Sequence, residues 1–217
     1  LIPHQRVVVT LSERGFIKRI PSRTYTPQHR GGKGIIGVVT REEDAIRILT
    51  VGDTHDDLYF FTNRGKVFYL KCYEIPAGSS RTAKGLAVIN LITVAENERV
   101  TAMIAVTGFM SEAFLVMATA KGEIKRTAVS KFASVRSSGL ITMDLEKGDE
   151  LISACLATAR EDVILVTRKG KSIKFAVSEI RASSRTSGGV RAIRLSSGDR
   201  VVSMDKASED GFLLVAA

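Results

Sequence analysis

Four segments of the chain share one arrangement of hydrophobic and polar positions: residues 7–18, 58–68, 114–125 and 163–174. Each begins with an apolar, β-rich run, passes through a short polar turn that ends in glycine, and continues as a second alternating run. This pattern predicts a β-hairpin, because glycine supplies the positive φ that tight hairpin turns require. The sequence therefore predicts four hairpins, with turn glycines at Gly15, Gly65, Gly122 and Gly170.

A second glycine follows each predicted hairpin, at Gly34, Gly85, Gly139 and Gly189. The segments that begin at the last three, residues 85–91, 139–145 and 189–195, alternate in polarity, which predicts half-buried strands. A further apolar run follows each segment, at 100–106, 151–156 and 201–204. A repeat of about 50 residues with about four short strands predicts an all-β, propeller-like array of blades.

These landmarks divide one domain into blade-like repeats at roughly residues 1–52, 53–106, 107–157 and 158–205, and residues 206–217 are predicted to begin a fifth. Because the chain stops there and starts at Leu1 without a Met, we expect it to be a piece of a longer protein. A pair of unrelated β-sandwiches would not produce four in-phase copies of two glycine positions.

The charge of the chain favours an anionic partner. It has 32 lysine and arginine residues against 23 aspartate and glutamate residues, a net charge of +9, and nucleic acid is the usual partner for such a surplus. No apolar run approaches the roughly 20 residues of a membrane span. The two cysteines, Cys72 and Cys155, lie among apolar residues without a metal-binding or redox motif, so we expect core positions and a cytoplasmic location.

The segment from Gln28 to Gly34 combines three glycines with Arg30 and Lys33. Glycines at this density allow the backbone to approach a ligand closely and to direct N–H groups at phosphate oxygens. Arg30 can bind a phosphate with its planar guanidinium, and Lys33 adds a compact charge. The segment does not fit a nucleoside-triphosphate loop, because no Ser or Thr follows the Gly-Lys pair and no helical pattern comes after it.

Residues 28–34 resemble the box sequence Gln-Arg-Arg-Gly-Gly-Lys-Gly of the C-terminal domain of bacterial gyrase A subunits, and they depart from it only at His29. Histidine in place of arginine weakens the fixed charge there and would make binding sensitive to pH near neutrality. Residues 57–67 and 187–195 also resemble this family, so the resemblance extends over the whole chain. It implies a six-bladed β-pinwheel, a propeller relative in which neighbouring blades exchange strands.

The resemblance also implies a function. The domain would bend duplex DNA around a basic outer rim without reading its sequence, and so enable an ATP-dependent type IIA topoisomerase to introduce negative supercoils. The expected partners are double-stranded DNA and, in an A2B2 complex, the gyrase B subunit together with the rest of the gyrase A polypeptide. The expected location is the bacterial cytoplasm beside the nucleoid, without a membrane. No catalysis and no cofactor are expected in this chain, because the ATP and Mg²⁺ of such enzymes belong to other domains.

Basic loops ahead of the second glycines are further candidate DNA contacts, because each repeat would offer a similar patch to the phosphate backbone. The predicted DNA-binding residues are Gln28, His29, Arg30, Gly31, Gly32, Lys33, Gly34, Arg81, Lys84, Lys131, Arg136, Arg185 and Arg191. No catalytic or metal-binding residues are predicted. Two alternatives remain open: the paralogous domain of topoisomerase IV, which would steer substrate choice rather than wrap DNA, and a propeller-like scaffold for an acidic protein.

Overall fold

The computed structural model of the 217-residue chain describes residues 1–25, 44–108 and 112–207. Within these residues the chain forms fifteen β-strands in four small antiparallel sheets, together with five single-turn 3-10 helices. The predicted all-β class is therefore confirmed. The predicted beginning of a fifth blade lies largely outside the described residues, which end at 207.

The four sheets, named blades 1 to 4, follow one another along the chain. Blade 1 consists of β1 (Arg6–Ser12), β2 (Phe16–Pro21), β3 (Ile46–Asp53) and β6 (Leu86–Ala87), in the order β3-β1-β2-β6. Blade 2 consists of β4 (Asp57–Thr62), β5 (Lys66–Lys71), β7 (Val100–Val106) and β10 (Leu140–Ile141), in the order β10-β5-β4-β7. Blade 3 consists of β8 (Ala113–Thr119), β9 (Glu123–Ala128), β11 (Leu151–Thr158) and β14 (Val190–Arg191), in the order β11-β8-β9-β14. Blade 4 consists of β12 (Asp162–Thr167), β13 (Ser172–Ala176) and β15 (Val201–Ala207), in the order β13-β12-β15.

Each blade is built on one of the predicted hairpins, numbered 1 to 4 like the blades. The pairs β1–β2, β4–β5, β8–β9 and β12–β13 are antiparallel, which confirms the four hairpins. The turn glycines at 15, 65, 122 and 170 have φ angles of 82°, 70°, 90° and 79°, in the left-handed region that glycine adopts without strain. A 3-10 helix follows each hairpin, at Ser22–Thr24, Cys72–Glu74, Val129–Phe132 and Val177–Glu179, and the fifth lies at Val88–Asn90.

The two-residue strands β6, β10 and β14 pair with the hairpin of the preceding blade. Neighbouring blades therefore exchange strands, as in a β-pinwheel. The segments that carry these strands are named strap 2 (residues 79–91), strap 3 (133–145) and strap 4 (183–195), after the hairpin that precedes each of them. Strap 2 thus pairs with hairpin 1, strap 3 with hairpin 2 and strap 4 with hairpin 3.

The prediction of seven-residue strands at 85–91, 139–145 and 189–195 was wrong in length. Each observed strand ends after two residues, because its partner hairpin ends there. The next N–H donates instead to the carbonyl of a turn glycine, at 2.8–2.9 Å. These bonds join Val88 to Gly15, Thr142 to Gly65 and Ala192 to Gly122.

Apolar side chains fill the spaces between consecutive blades. The innermost strands β3, β7, β11 and β15 are successive neighbours, and three buried clusters lie between the blades. The clusters include Leu11 and Phe60 between blades 1 and 2, Phe61 and Met117 between blades 2 and 3, and Val116 and Leu165 between blades 3 and 4. Full burial of such a side chain stabilises the fold by roughly 1.5–3 kcal/mol, so the blades support one another.

Candidate nucleic-acid interface

The described DNA-binding candidates lie on the straps or beside them. Arg81 and Lys84 are on strap 2, Arg136 is on strap 3, and Arg185 and Arg191 are on strap 4. Lys131 is on the 3-10 helix just before strap 3. The structure leaves Lys84, Lys131, Arg136 and Arg191 exposed, and it half-buries Arg81 and Arg185.

The box residues Gln28, His29, Arg30, Gly31, Gly32, Lys33 and Gly34 lie outside the described residues. Their role in DNA binding therefore stays a prediction from the sequence. The sequence does align them with the described straps, since Arg30, Arg81 and Arg185 each stand four residues before a second glycine. Lys33 and Lys84 likewise stand immediately before it.

Straps 2 and 4 have the same loop ahead of the exchanged strand. Residues 80–82 and 184–186 both read Ser-Arg-Thr. In each loop the N–H of the fourth residue donates to the carbonyl of the serine at 3.3 Å, which closes a tight turn with the arginine inside it. The structure thus gives Arg81 and Arg185 equivalent places on blades that are two positions apart.

A buried lysine of the preceding blade holds each of these loops. Lys18 on β2 is 3% exposed, and its Nζ donates to the carbonyls of Arg81 at 2.6 Å and Ala83 at 2.5 Å. Burial lowers the pKa of Lys18 below its usual range. The backbone of strap 2 is therefore fixed by an ammonium group from blade 1.

Lys125 on β9 occupies the same position in hairpin 3 and is 1% exposed. Its Nζ donates to four backbone carbonyls at 2.8–2.9 Å, those of Thr142, Ser184, Arg185 and Ser187. The pKa of Lys125 is lowered to about 8, chiefly by burial and also by the positive charge of Arg185, while Asp144 acts to raise it. Lys125 thus connects blade 3 to strap 3 and strap 4 together.

Sequence reasoning missed both lysines, although a signal was present. Each stands six residues after the hydroxyl residue that begins the hairpin turn, Ser12 or Thr119. The equivalent positions in hairpins 2 and 4 are apolar, Phe68 and Ile173. A lysine at an inward position of an alternating strand indicates a buried ammonium group, which must find polar partners.

Strap 3 is held in a different way. At the position of Lys18 and Lys125, hairpin 2 has Phe68, and a Cβ atom added to Gly139 would lie 2.5 Å from its ring. The strap residue that replaces the arginine is Val135, which is buried. Strap 3 therefore packs on blade 2 through apolar contacts, and its cation, Arg136, stands one residue later.

Neighbouring straps also contact each other. Arg185 of strap 4 donates from its guanidinium to the carbonyl of Ile141 in strap 3, and the Asp144 N–H donates to the carbonyl of Ser187 at 3.1 Å. Arg191 lies opposite Glu123 in the β14–β9 register. Burial raises the pKa of the Glu123 carboxyl.

The basic residues just before the turn glycines have structural contacts instead. Arg64, Lys121 and Lys169 donate through their side chains to backbone carbonyls within their own repeat, at 2.6–3.0 Å. The backbone N–H of Lys121 donates to Asp149 at 2.9 Å, and that of Lys169 to Asp199 at 3.0 Å. These cations therefore brace the hairpin turns.

The described part of the chain contains no group of three or more His, Cys, Asp or Glu residues that could hold a metal ion. Within the same residues, no helix is long and apolar enough to cross a membrane.

The family model described as DNA gyrase C-terminal domain, beta-propeller, matches residues 6–51, 56–107, 113–154 and 161–208. The gyrase A protein of Dehalogenimonas lykanthroporepellens is 57% identical over 215 residues, which is 99% of this chain and 26% of that protein. The gyrase A protein of Staphylococcus epidermidis is 42% identical over 219 residues, 99% of this chain and 24% of that protein. The chain therefore spans about a quarter of the length of these relatives.

Two solved structures resemble this one. A DNA gyrase A C-terminal domain superposes with a TM-score of 0.77 at 29% identity, covering 94% of this chain and 66% of that chain. A C-terminal domain of DNA topoisomerase IV superposes with a TM-score of 0.75 at 23% identity, covering 96% of this chain and 63% of that chain. The second likeness concerns the fold alone.

Proposed function

This chain belongs to the family of DNA gyrase A C-terminal domains, and from that premise we propose that it binds duplex DNA without sequence preference and bends it around the edge that carries the straps. In the longer protein, assembled with gyrase B, this bending would support ATP-driven introduction of negative supercoils. The chain itself would supply DNA binding and no catalytic group.

One observation carries the proposal: straps 2, 3 and 4 lie on consecutive blades, and each presents basic side chains at or beside the same strap position. Strap 2 contributes Arg81 and Lys84, strap 3 contributes Arg136, and strap 4 contributes Arg185 and Arg191. Bending 20–30 base pairs smoothly costs of order 1–6 kcal/mol, so many phosphate contacts along a curved path are needed to offset it. A repeated array of cations provides such contacts.

The contacts we propose are to the DNA backbone. Contacts to phosphates fix the position of a duplex but carry no direct sequence information. The described elements are strands and single-turn helices, and none of them resembles a recognition helix that enters the major groove. Both features support binding that depends on the shape and charge of DNA rather than on its base sequence.

A topology assay tests wrapping. Nicked plasmid would be sealed by ligase in the presence of increasing amounts of the chain, beside an Arg30→Ala/Lys33→Ala variant and a Lys174→Ala/Lys206→Ala control. The control removes the same charge from exposed lysines of blade 4, which pair with Asp162 and Glu161. We expect a positive linking-number shift that the control keeps and the box variant loses.

The other outcomes separate the alternatives. Tight DNA binding without a linking-number shift would contradict wrapping and favour the topoisomerase IV type of function. No binding to duplex DNA, with binding to polyanionic peptides instead, would overturn the proposal in favour of a scaffold for acidic proteins. Equal losses in both variants would show that total charge matters rather than the box.

A further inference from the structure

The loop of strap 4 has its carbonyl groups turned towards one buried charge. The carbonyls of Ser184, Arg185 and Ser187 all accept from Lys125 Nζ. The described chain has no cis peptide bonds, and in a trans peptide the N–H points away from the C=O of the same peptide group. The following N–H groups, those of residues 185, 186 and 188, therefore point away from Lys125.

These three N–H groups have no protein acceptor among the described residues. Thr186 and Gly188 are exposed residues of the same loop, and the guanidinium of the half-buried Arg185 donates to the carbonyl of Ile141. Outward backbone N–H groups and arginine side chains are among the groups that donate to phosphate oxygens of DNA. The loop thus has donors on its outer side because its acceptors are occupied on its inner side.

The acceptors are occupied by the ammonium group of Lys125. Its side chain is 1% exposed, and among the described residues it forms no ion pair with a carboxylate. Four carbonyl dipoles balance the ammonium charge instead. Without the ammonium group these carbonyls would lose a buried donor, and the loop would have to turn to find new partners.

We propose that Lys125 is a positioning residue for DNA: it holds the loop of strap 4 so that the Arg185 side chain and the outward N–H groups of residues 185, 186 and 188 face the phosphate backbone of DNA. This inference rests on the proposed function and adds a residue that touches no DNA itself. Lys18 plays the same part for strap 2, where its contacts to Arg81 and Ala83 turn the N–H of Thr82 outward.

Strap 3 provides the internal contrast. Phe68 replaces the lysine there, and Val135 replaces the arginine that stands four residues before the second glycine. Strap 3 therefore has neither the buried ammonium group nor that arginine. The two features occur together in straps 2 and 4 and are replaced together in strap 3. This joint replacement is expected if the lysine serves the arginine loop.

A double-mutant cycle tests the proposal on the 217-residue chain with a labelled linear DNA duplex. We expect Lys125→Met to weaken binding about tenfold, as lost charge-assisted contacts would. Adding Arg185→Ala to Lys125→Met should then change the affinity less than about twofold, because both act through one loop. Adding Arg81→Ala, on the strap held by Lys18, should still produce its full effect.

Two results would overturn the proposal. Lys125→Met could bind DNA as tightly as the wild-type chain, or its effect could add fully to that of Arg185→Ala. If the wild-type chain itself fails to bind the duplex, the proposed function has failed instead. Amide hydrogen exchange without DNA then still tests the positioning: Lys125→Met should raise it at least about tenfold at Ser187 and Asp144, whose N–H groups donate to the carbonyls of Ser184 and Ser187, while blade 4 stays protected.

The pH dependence of the wild-type chain gives a test that needs no change at Lys125. Its pKa of about 8 means that the ammonium is present below pH 8 and is lost as pH rises, so affinity should fall through that range. The charged side chains on β9, on the 3-10 helix Val129–Phe132 and on straps 3 and 4 are Arg185, Asp144, Glu123, Arg126, Lys131, Arg136, Arg191 and Arg194. Arg185→Ala should flatten the fall, and parallel profiles of the two proteins would contradict the role of Lys125.

Discussion

Lys125 and Phe68 occupy the same position in two consecutive hairpins, yet each is fully buried. Phe68 packs beneath Gly139, whereas Lys125 brings a charge into the interior and satisfies it with backbone carbonyls. A buried charge is tolerated only when its hydrogen-bonding capacity is used. The same position therefore serves apolar packing in one blade and the orientation of a loop in the next.

The two cysteines, Cys72 buried and Cys155 half-buried, are a second example of residues whose reactivity is changed by their surroundings. Burial raises the pKa of both the Cys72 and the Cys155 thiol to about 12. The thiolate is the reactive form, so at a pH of about 8 the native chain should react with a thiol reagent more than about tenfold more slowly than the urea-unfolded chain. The absorbance of the chromophore that the reagent releases measures the reaction rate. The Cys72→Ser and Cys155→Ser variants separate the contributions of the two thiols. Rapid labelling of either native thiol would contradict the prediction.

The hairpin turn has the same hydrogen-bonding pattern in all four blades. A hydroxyl, from Ser12, Thr62, Thr119 or Thr167, accepts the N–H four residues later, and a glycine with positive φ completes the turn. The turns differ in what packs on them. A Cβ atom on Gly65 would lie 2.5 Å from the Met143 carbonyl of strap 3, whereas one on Gly170 would meet nothing within 4 Å.

Alanine at these two glycines should therefore have unequal costs. Gly170→Ala introduces only the strain of a left-handed alanine, about 1–2 kcal/mol. Gly65→Ala adds a collision with the backbone of the exchanged strap, which we expect to cost about 1–3 kcal/mol more. Urea denaturation of both variants measures the difference. Equal losses of unfolding free energy would mean that strap 3 moves aside freely.

The whole molecule is held together by exchange between blades. Each strap pairs with the previous hairpin, and apolar clusters fill the spaces between the sheets. Each basic loop is consequently held by contacts with the preceding blade as well as by its own blade. Such an array can present cations at fixed intervals along a curved edge, which a set of independent loops could not do.

This arrangement predicts a steep dependence of DNA affinity on salt. In a plot of the logarithm of the DNA-binding constant against the logarithm of the salt concentration, each neutralised phosphate contributes a slope of about −0.9. Roughly six contacts therefore give a slope of about −5. Titrations of a labelled duplex at several salt concentrations measure it. The Arg185→Ala variant should make this slope shallower by about one. A nearly flat salt response of the wild-type chain would contradict binding to the DNA backbone.

The sequence by itself determined the hairpins, the positive-φ glycines at 15, 65, 122 and 170, the repeat and the family. These features depend on residues close together in the chain, whose alternation and turn chemistry act locally. The tertiary structure alone decided that each strap pairs for only two residues and that the carbonyls of the arginine loops are the partners of Lys18 and Lys125. Both depend on contacts between distant parts of the chain, such as Lys125 with Ser187, 62 residues away. Local patterns carry no record of which distant carbonyls a buried lysine will meet.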